Sequence, residues 1–423
     1  MDEDDNEADF LRLLDQNPDV SCSLLQIQND NPGLEFGNLC FLELARLFIR
    51  IKRNAPEITS LELDHADEYV PTSVYSRMGT LIGQNSVLSN VSITANDLAV
   101  RELCEGLQHN RTIKSFDLSG DYDEPNRNVA TVELFSFVSY NTSLEDICIC
   151  EISVHYGPLS DALLRRSSDT LKSLYLRNNN LGDIDMDDLV TALSTTCRNV
   201  TSLTLTRNQI GQRGYTSLAE LLKNEDSKLE SLDLDRNNLD DVCLNTLVDA
   251  LANNNKLVSM DLADNNEMTN SGRLVFLPLV CDTSSIKSIL RSNHTINIGA
   301  DLHQRVQGSD VDGINLLRES FEVNRTENKE HVKRQKIVWA HAKGDVNVGN
   351  SSIPMGAIPD VLSWFRDTDN ESSVLSIQYH QPPLPDARME AVRIDSMFRI
   401  LRSMPDLVGH TSSATPQMMK IED

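Results

Sequence analysis

Two cysteines separated by one residue have the type and spacing that could begin a metal site. Cys148 and Cys150 flank Ile149, and Asp146 and His155 lie nearby in the sequence. Residues two apart on a β-strand point to the same side, so both thiols would lie on one face. A closed zinc site needs four well-placed ligands, and the sequence offers two strong ones. We therefore expect two free thiols, with no metal and no cofactor.

Other groups capable of chemistry lack recognisable partners. His294 and His341 lie near predicted helix or loop ends, and we interpret both as ordinary polar residues. The glycines of residues 211–214 fit a helix start better than a phosphate-binding loop. The sequence has no P-loop, dinucleotide fingerprint, zinc-protease helix or nucleophile elbow. We therefore predict no catalytic residues and a protein that is not an enzyme.

The two cysteines lie within one copy of a pattern that recurs along the chain. An apolar residue is followed three positions later by a second and two positions after that by a third, and copies begin 25 to 31 residues apart. Four clear copies, each with an asparagine three positions after the third apolar residue, begin at Leu171, Val200, Leu229 and Leu257. Weaker copies begin at Ile58, Leu88, Ile113, Leu144 and Ile286, and a degenerate one at Cys22.

Each position of the pattern has a physical reason. The second and third apolar residues lie two apart on a short strand and enter the core. The asparagine amide can bond backbone groups of neighbouring turns. Between strands, sets such as Leu218, Leu221 and Leu222 have helical spacing. Asn110, Asn141 and Asn255 fall where helices would end, in the left-handed conformation that asparagine tolerates. Units of this kind must stack to bury their apolar faces.

The runs LTLTRNQIGQRGYTSLAELL and LDLDRNNLDDVCLNTLVDALANN resemble the ribonuclease-inhibitor-like class of leucine-rich repeats. That class includes ribonuclease inhibitor, the sensor repeats of NOD-like receptors, Ran GTPase-activating proteins and tropomodulin. The resemblance implies an α/β leucine-rich repeat solenoid, a horseshoe with a parallel sheet on its concave side and helices on its convex side. Such solenoids usually present a binding surface.

Four segments follow from the pattern. We expect an acidic, disordered leader at 1–19, a solenoid of about ten repeats at 20–300, a helical C-terminal cap at 301–405 and a flexible tail at 406–423. Helical spacing in the cap begins at Ile314, Val332, Pro359 and Met389. The cap, with NRTENKEHVKRQKIVWAHAKGD and LPDARMEAVRIDSMFRILRSMPDL, resembles helical tails on uncharacterised algal proteins of the same class.

Composition limits the partners. The net charge is −26 at pH 7, so nucleic acid and anionic membranes are poor partners, and a basic protein surface is a better one. No segment has the apolar length of a transmembrane helix. The eight cysteines lack framework spacing and the first residues are acidic, unlike a targeting sequence. We expect an acidic monomer in the cytoplasm or the nucleus.

The concave face follows from the period of two. Second positions after most of the first apolar residues give a serine column, interpreted as filling of the strand start. Fourth and sixth positions, with rim residues beside them, give a candidate partner-binding set with acidic patches at both ends and aromatic and arginine residues between or along the rim. Its members are Glu62, Asp64, Asp117, Tyr175, Arg177, Arg207, Asp233, Asp235, Arg236 and Asp261.

These features predict a non-enzymatic protein–protein interaction module, a scaffold, adaptor or sensor that binds a partner on the concave face. Two alternatives stay open. One is a GTPase-activating or regulatory protein for a Ran-like small GTPase, although that family typically has its acidic run after the repeats. The other is a substrate receptor of a ubiquitin ligase, although residues 1–55 show no F-box pattern.

Overall fold

The computed structural model describes residues 49–63, 72–94, 97–120, 131–151, 157–167, 169–284, 286–298 and 311–326, with 329, 332, 333 and 336. The predicted leader, the repeat copy at Cys22, the helices predicted from Pro359 and Met389, and the candidate residues Asp64, His155 and His341 lie outside this part of the chain.

Short strands with the predicted register form one sheet in chain order. They are β1 (Ser60–Leu63), β2 (Asn90–Thr94), β3 (Ser115–Ser119), β4 (Asp146–Cys150), β5 (Ser173–Tyr175), β6 (Ser202–Thr204), β7 (Ser231–Asp233), β8 (Ser259–Asp261) and β9 (Asn297–Ile298). From β1 to β8 every neighbouring pair is parallel, and equivalent repeat positions face each other.

A helix separates each pair of successive strands as far as β8. These helices are α1 (Thr72–Gln84), α2 (Asp97–Leu107), α3 (Thr131–Tyr140), α4 (Gly157–Leu164), α5 (Asp183–Thr195), α6 (Gln212–Lys223) and α7 (Asp241–Leu251). Next come α8 (Asn270–Arg273), α9 (Phe276–Val280), α10 (Ile286–Arg291) and α11 (Val311–Asn324). The alternation of parallel strands and helices confirms the predicted α/β solenoid.

The described residues fall into two compact units. One extends to Gly272 and includes Ile298; the other contains Arg273–Asn297 and the residues described from Val311 onward. In the first unit the inward strand residues Leu174, Leu203 and Leu232 are buried. Burying one such side chain contributes about 1.5 to 3 kcal/mol, so the repeated leucines supply the main driving force for stacking.

Two helices of the first unit touch backbone to backbone. A Cβ atom built on Gly106 of α2 would lie 2.1 Å from the carbonyl carbon of Gly79 on α1, and one on Gly83 would lie 2.2 Å from the carbonyl oxygen of Gly106. No side chain larger than that of glycine fits such an approach. These glycines therefore set the spacing of the first two helices.

The repeated asparagines bond the backbone of neighbouring repeats, as predicted. Asn208 donates from Nδ2 to the carbonyl oxygens of Leu176 and Leu205, both at 2.8 Å. Its Oδ1 accepts from the backbone N–H groups of Asn179, at 3.1 Å, and Leu181, at 3.0 Å. Asn265 makes the same contacts with the preceding repeat. Each amide thus satisfies buried groups on both sides of a repeat boundary.

A second asparagine series lies at the helix ends, and here the predicted reason was wrong. Asn110 and Asn141 do not have a positive φ angle. Their Oδ1 atoms instead accept backbone N–H groups of the following turn, and Nδ2 of Asn110 donates to the oxygen of Ile82 at 2.7 Å. In the later repeat Asn254, not Asn255, takes this role. Asparagine at these helix ends is therefore explained by its side-chain hydrogen bonds and not by a left-handed backbone.

The strand predicted at Ile286 was also wrong. Residues Ile286–Arg291 form α10, and the last strand in the sheet comes later, at Asn297–Ile298. Apolar residues three apart fit a helix as well as the repeat, and position 291, where the third apolar residue should stand, holds an arginine. The helix predicted from Ile314 is confirmed as α11, with Leu317 and Phe321 buried.

Candidate partner-binding face

One face of the sheet is formed by the strand residues that stay partly exposed, and we call it the outward sheet face. The fourth-position residues stand side by side across the strands, as the period of two predicted. From β1 to β8 their order is Glu62, Ser92, Asp117, Cys148, Tyr175, Thr204, Asp233 and Asp261. The serine column is regular from β5 to β8, with Ser173, Ser202, Ser231 and Ser259 in register, whereas Asn90 and Asp146 hold this position on β2 and β4.

Three of the predicted aspartates lie together at one end of this row, and we call them the acidic cluster: Asp233, Asp235 and Asp261. Asp233 and Asp261 are direct neighbours on β7 and β8. Each accepts a backbone N–H group two residues ahead, that of Asp235 for Asp233 and that of Ala263 for Asp261, both at 3.0 Å. One oxygen of each carboxylate therefore stabilises its own strand end.

Asp235 has a partly buried carboxyl group within the acidic cluster. Its Oδ1 atom is buried and has no hydrogen-bond partner within the described residues. Burial raises the pKa of the Asp235 carboxyl, Arg236 opposes this, and the carboxylates of Asp233, Asp264 and Asp261 raise it further. A buried acceptor without a donor carries an uncompensated desolvation cost. A positive charge placed beside the cluster would favour the ionised form of the Asp235 carboxyl.

The two rim arginines of the candidate set occupy a strained backbone position. Arg207 and Arg236 have φ angles of 57° and 52°, and Asn178 and Asp264 have similar values at the equivalent place, directly before the repeated asparagine. Arg236 donates from Nε and Nη2 to Oδ2 of Asp264, at 2.8 and 2.7 Å. That pair directs much of the Arg236 charge to its own neighbour, away from the acidic cluster.

The middle of the outward sheet face combines an aromatic ring and a cation. Tyr175 is 37% exposed on β5, between Cys148 and Thr204. Arg177, in the turn after β5, is exposed, and its backbone oxygen accepts from the N–H of Glu151 at 2.9 Å. Tyrosine and arginine are the residue types most enriched at interface hot spots.

The remaining predicted acids are separate from the acidic cluster. Asp117 on β3 lies four strands from Asp233 on β7. With strands about 4.8 Å apart, this places the two carboxylates roughly 19 Å from each other. Salt at about 0.1 M screens exposed charges beyond about 10 Å. Asp117 and Glu62 therefore cannot reinforce the acidic cluster at physiological salt.

The cysteine pair lies on the same face. Cys148 and Cys150 are partly exposed, while Ile147 and Ile149 are buried. Their Sγ atoms are 3.3 Å apart, and both thiols are free. The hydrogen bond from Cys148 and a backbone N–H of Arg177 lower the pKa of Cys150. The same bond, burial and Asp117 raise that of Cys148. Within the described residues no three acidic, histidine or cysteine side chains are grouped to hold a metal ion.

The second unit contains a buried lysine–histidine contact that the sequence did not predict. Lys336 is 2% exposed, and its Nζ donates to the backbone oxygens of Val280 and Asn293, at 2.5 and 3.3 Å. It also lies 3.3 Å from Nδ1 of His294, which we had expected to lack a partner. Burial lowers the pKa of Lys336 to about 7, and burial and Lys336 lower that of His294 to about 3. No pattern in the sequence distinguishes Lys336 from neighbouring lysines.

Comparison with known proteins agrees with this geometry. The family model described as Leucine Rich repeat matches residues 167–190 and 196–219, which contain β5, β6 and most of α5 and α6. No curated protein matches the chain. Among the described residues, no helix is long and apolar enough to cross a membrane. Leucine-rich repeats stack to form extended surfaces that bind other proteins, which indicates a protein-interaction module.

Proposed function

We propose that this chain is a non-enzymatic interaction module, a scaffold, adaptor or sensor, that binds a protein with a basic contact surface through its outward sheet face. The contact centres on the acidic cluster, with Tyr175 and Arg177 beside it. The observation that carries the proposal is the concentration of carboxylates at this end of the face: Asp233 and Asp261 are neighbours on β7 and β8, and, in addition to burial, they and Asp264 raise the pKa of the Asp235 carboxyl.

A lysine or arginine of the partner would supply the positive charge that this group of carboxylates attracts. It would pair with the exposed parts of these carboxylates and offset the repulsion among Asp233, Asp235 and Asp261. Charge-assisted hydrogen bonds of this kind are roughly twice as strong as neutral ones. Clustered charge on a surface also speeds the encounter with an oppositely charged partner, and this effect falls as salt rises.

Tyr175 would contribute differently. Its ring is partly exposed on a rigid strand, so little conformational entropy is lost when a partner covers it. Burial of an aromatic side chain at an interface mainly slows dissociation. The acidic cluster should therefore control the association rate, and Tyr175 the dissociation rate.

We also infer that the repeats are of the ribonuclease-inhibitor-like class and that the chain is a monomer. Support for the class comes from the helices α1 to α7, which are 8 to 13 residues long, where other leucine-rich repeats carry shorter turns. Light scattering during size-exclusion chromatography measures the oligomeric state. A stable dimer would contradict the monomer assignment.

The experiment compares three baits in an affinity pull-down: the wild type, Asp233→Asn/Asp235→Asn, and Glu220→Gln/Glu225→Gln. The control pair removes the same charge from exposed positions in and after α6. A basic protein should be retained by the wild type and the control and lost from the cluster variant. The purified partner is then measured by surface binding kinetics at two salt concentrations.

Specific outcomes decide the proposal. The cluster variant should associate more slowly, with a flatter salt dependence than the control. Tyr175→Ala should dissociate about tenfold faster if the ring contributes about 1.4 kcal/mol, whereas Tyr140→Ala, an exposed tyrosine at the end of α3, should not. If neither change on the sheet face matters while substitutions on the helices abolish binding, the outward sheet face is not the binding surface.

A further inference from the structure

The Cys148–Cys150 pair differs from the other described cysteines in both access and spacing. Cys104, Cys197, Cys243 and Cys281 are buried, and burial raises the pKa of each thiol. Cys148 and Cys150 are partly exposed on the outward sheet face, with their sulfur atoms 3.3 Å apart. Among the described cysteines, this pair alone combines solvent access with a second thiol in contact.

The surroundings divide the roles of the two sulfur atoms. The contact with the Cys148 thiol and a backbone N–H of Arg177 lower the pKa of Cys150 and so favour its thiolate. Cys148 faces Asp117 across the sheet, and that negative charge opposes a thiolate there. The thiolate is the form of cysteine that attacks a disulfide. Cys150 is thus placed as the attacking sulfur and Cys148 as the resolving one.

We propose that Cys148 and Cys150 form a thiol–disulfide modification site that reacts with low-molecular-weight disulfides such as glutathione disulfide. The Cys150 thiolate attacks one sulfur of the reagent, whose S–S bond breaks, and one glutathione leaves as a thiolate that takes up a proton. Cys148 then loses its proton and attacks Sγ of Cys150, releasing the second glutathione. The protein gives up two electrons and two protons, and glutathione disulfide is reduced to two thiols.

Closure of the pair requires a local change in β4. Residues two apart on a strand have Cα atoms about 6.6 Å apart, near the upper limit of about 6.8 Å for a disulfide. The sulfur atoms must also approach from 3.3 Å to about 2.05 Å. A strained, exposed disulfide has a more oxidising potential and is easily reduced. The modification should therefore be reversible.

The test uses the full chain with Cys22 and Cys40 changed to serine, because these two cysteines lie outside the described residues. The folded protein is incubated with glutathione disulfide and analysed by intact mass and peptide mapping. The parent should lose two hydrogens and form a Cys148–Cys150 disulfide that reduced glutathione reopens. Cys148→Ser should instead keep one glutathionyl group on Cys150.

The rates test the assigned roles. Cys150→Ser should be modified at least about tenfold more slowly than Cys148→Ser, since Cys148 faces the carboxylate of Asp117 whereas Cys150 keeps the backbone N–H of Arg177. Cys243→Ala, which removes a buried thiol of α7, should leave the parent rate unchanged. Equal rates for the two single variants would overturn the assignment of roles. Two stable glutathionyl groups on the parent, or a reaction confined to unfolded protein, would overturn the site itself.

Discussion

Removal of the side chain of one repeated asparagine should destabilise the solenoid far more than the small size of that side chain suggests. In Asn208→Ala, four hydrogen bonds of 2.8 to 3.1 Å are lost, two from Nδ2 to the oxygens of Leu176 and Leu205 and two from the N–H groups of Asn179 and Leu181 to Oδ1, together with a longer one of 3.3 Å from Nδ2 to the oxygen of Thr206. A typical bond of this kind contributes about 1 kcal/mol, so we expect a loss of about 4 kcal/mol in the free energy of unfolding. Such a loss is large for a single substitution.

The measurement is urea denaturation followed by circular dichroism, with Asn245→Ala as the control. Asn245 is exposed on α7 and makes one helical bond, from Nδ2 to the oxygen of Asp241 at 2.7 Å. The control should change the free energy of unfolding by less than about 0.5 kcal/mol. If Asn208→Ala costs less than about 1 kcal/mol, the bonds across the repeat boundary do not hold the array together as argued.

Two further predictions test the packing and the buried charge. Gly106→Ala should lower the free energy of unfolding by several kcal/mol in a thermal or urea melt, because its Cβ would meet the Gly79 backbone. The control Gly182→Ala should be tolerated, because its Cβ would meet nothing closer than 3.8 Å. Similar melts for the two variants would contradict the backbone contact. Burial lowers the pKa of Lys336 to about 7 in the folded protein, below its value in the unfolded chain. Between these two pKa values the unfolded chain binds more protons at Lys336 than the folded protein does, so the free energy of unfolding should rise with pH, by up to about 1.4 kcal/mol per pH unit. Urea titrations should show this slope in the wild type and not in Lys336→Met, and equal slopes would refute the buried position of the amine.

The repeat pattern was enough to predict the fold of the first unit. Inward residues such as Leu232 recur with a period that only a strand-and-helix unit satisfies, and the asparagine at position 208 fits only a turn that needs side-chain bonds. The pattern failed where its third position was missing. At Ile286 two apolar residues three apart fitted strand and helix alike, and Arg291 was the signal for the helix.

The sequence predicted which residues stand side by side on the outward sheet face, but not how their charged groups are paired or buried. The period of two placed Tyr175, Asp233 and Asp261 in one row. It could not show that Arg236 is paired with Asp264, nor that one oxygen of Asp235 is buried without a donor. Those facts depend on distances of a few ångströms between side chains of different repeats. The Lys336–His294 contact joins residues 42 apart in the chain, outside any repeat.

The acidic cluster combines a structural role with a proposed binding role, and the two can be separated at the level of atoms. One oxygen each of Asp233 and Asp261 holds a backbone N–H group of its own strand end, a bond that asparagine can keep. Asn removes the charge but leaves that acceptor in place. A solenoid needs only the acceptor, while a basic partner needs the charge. Aspartate at both positions, beside the Asp235 carboxyl whose pKa they raise, therefore fits a role for charge on this face, since a neutral acceptor would cap the strands without repulsion.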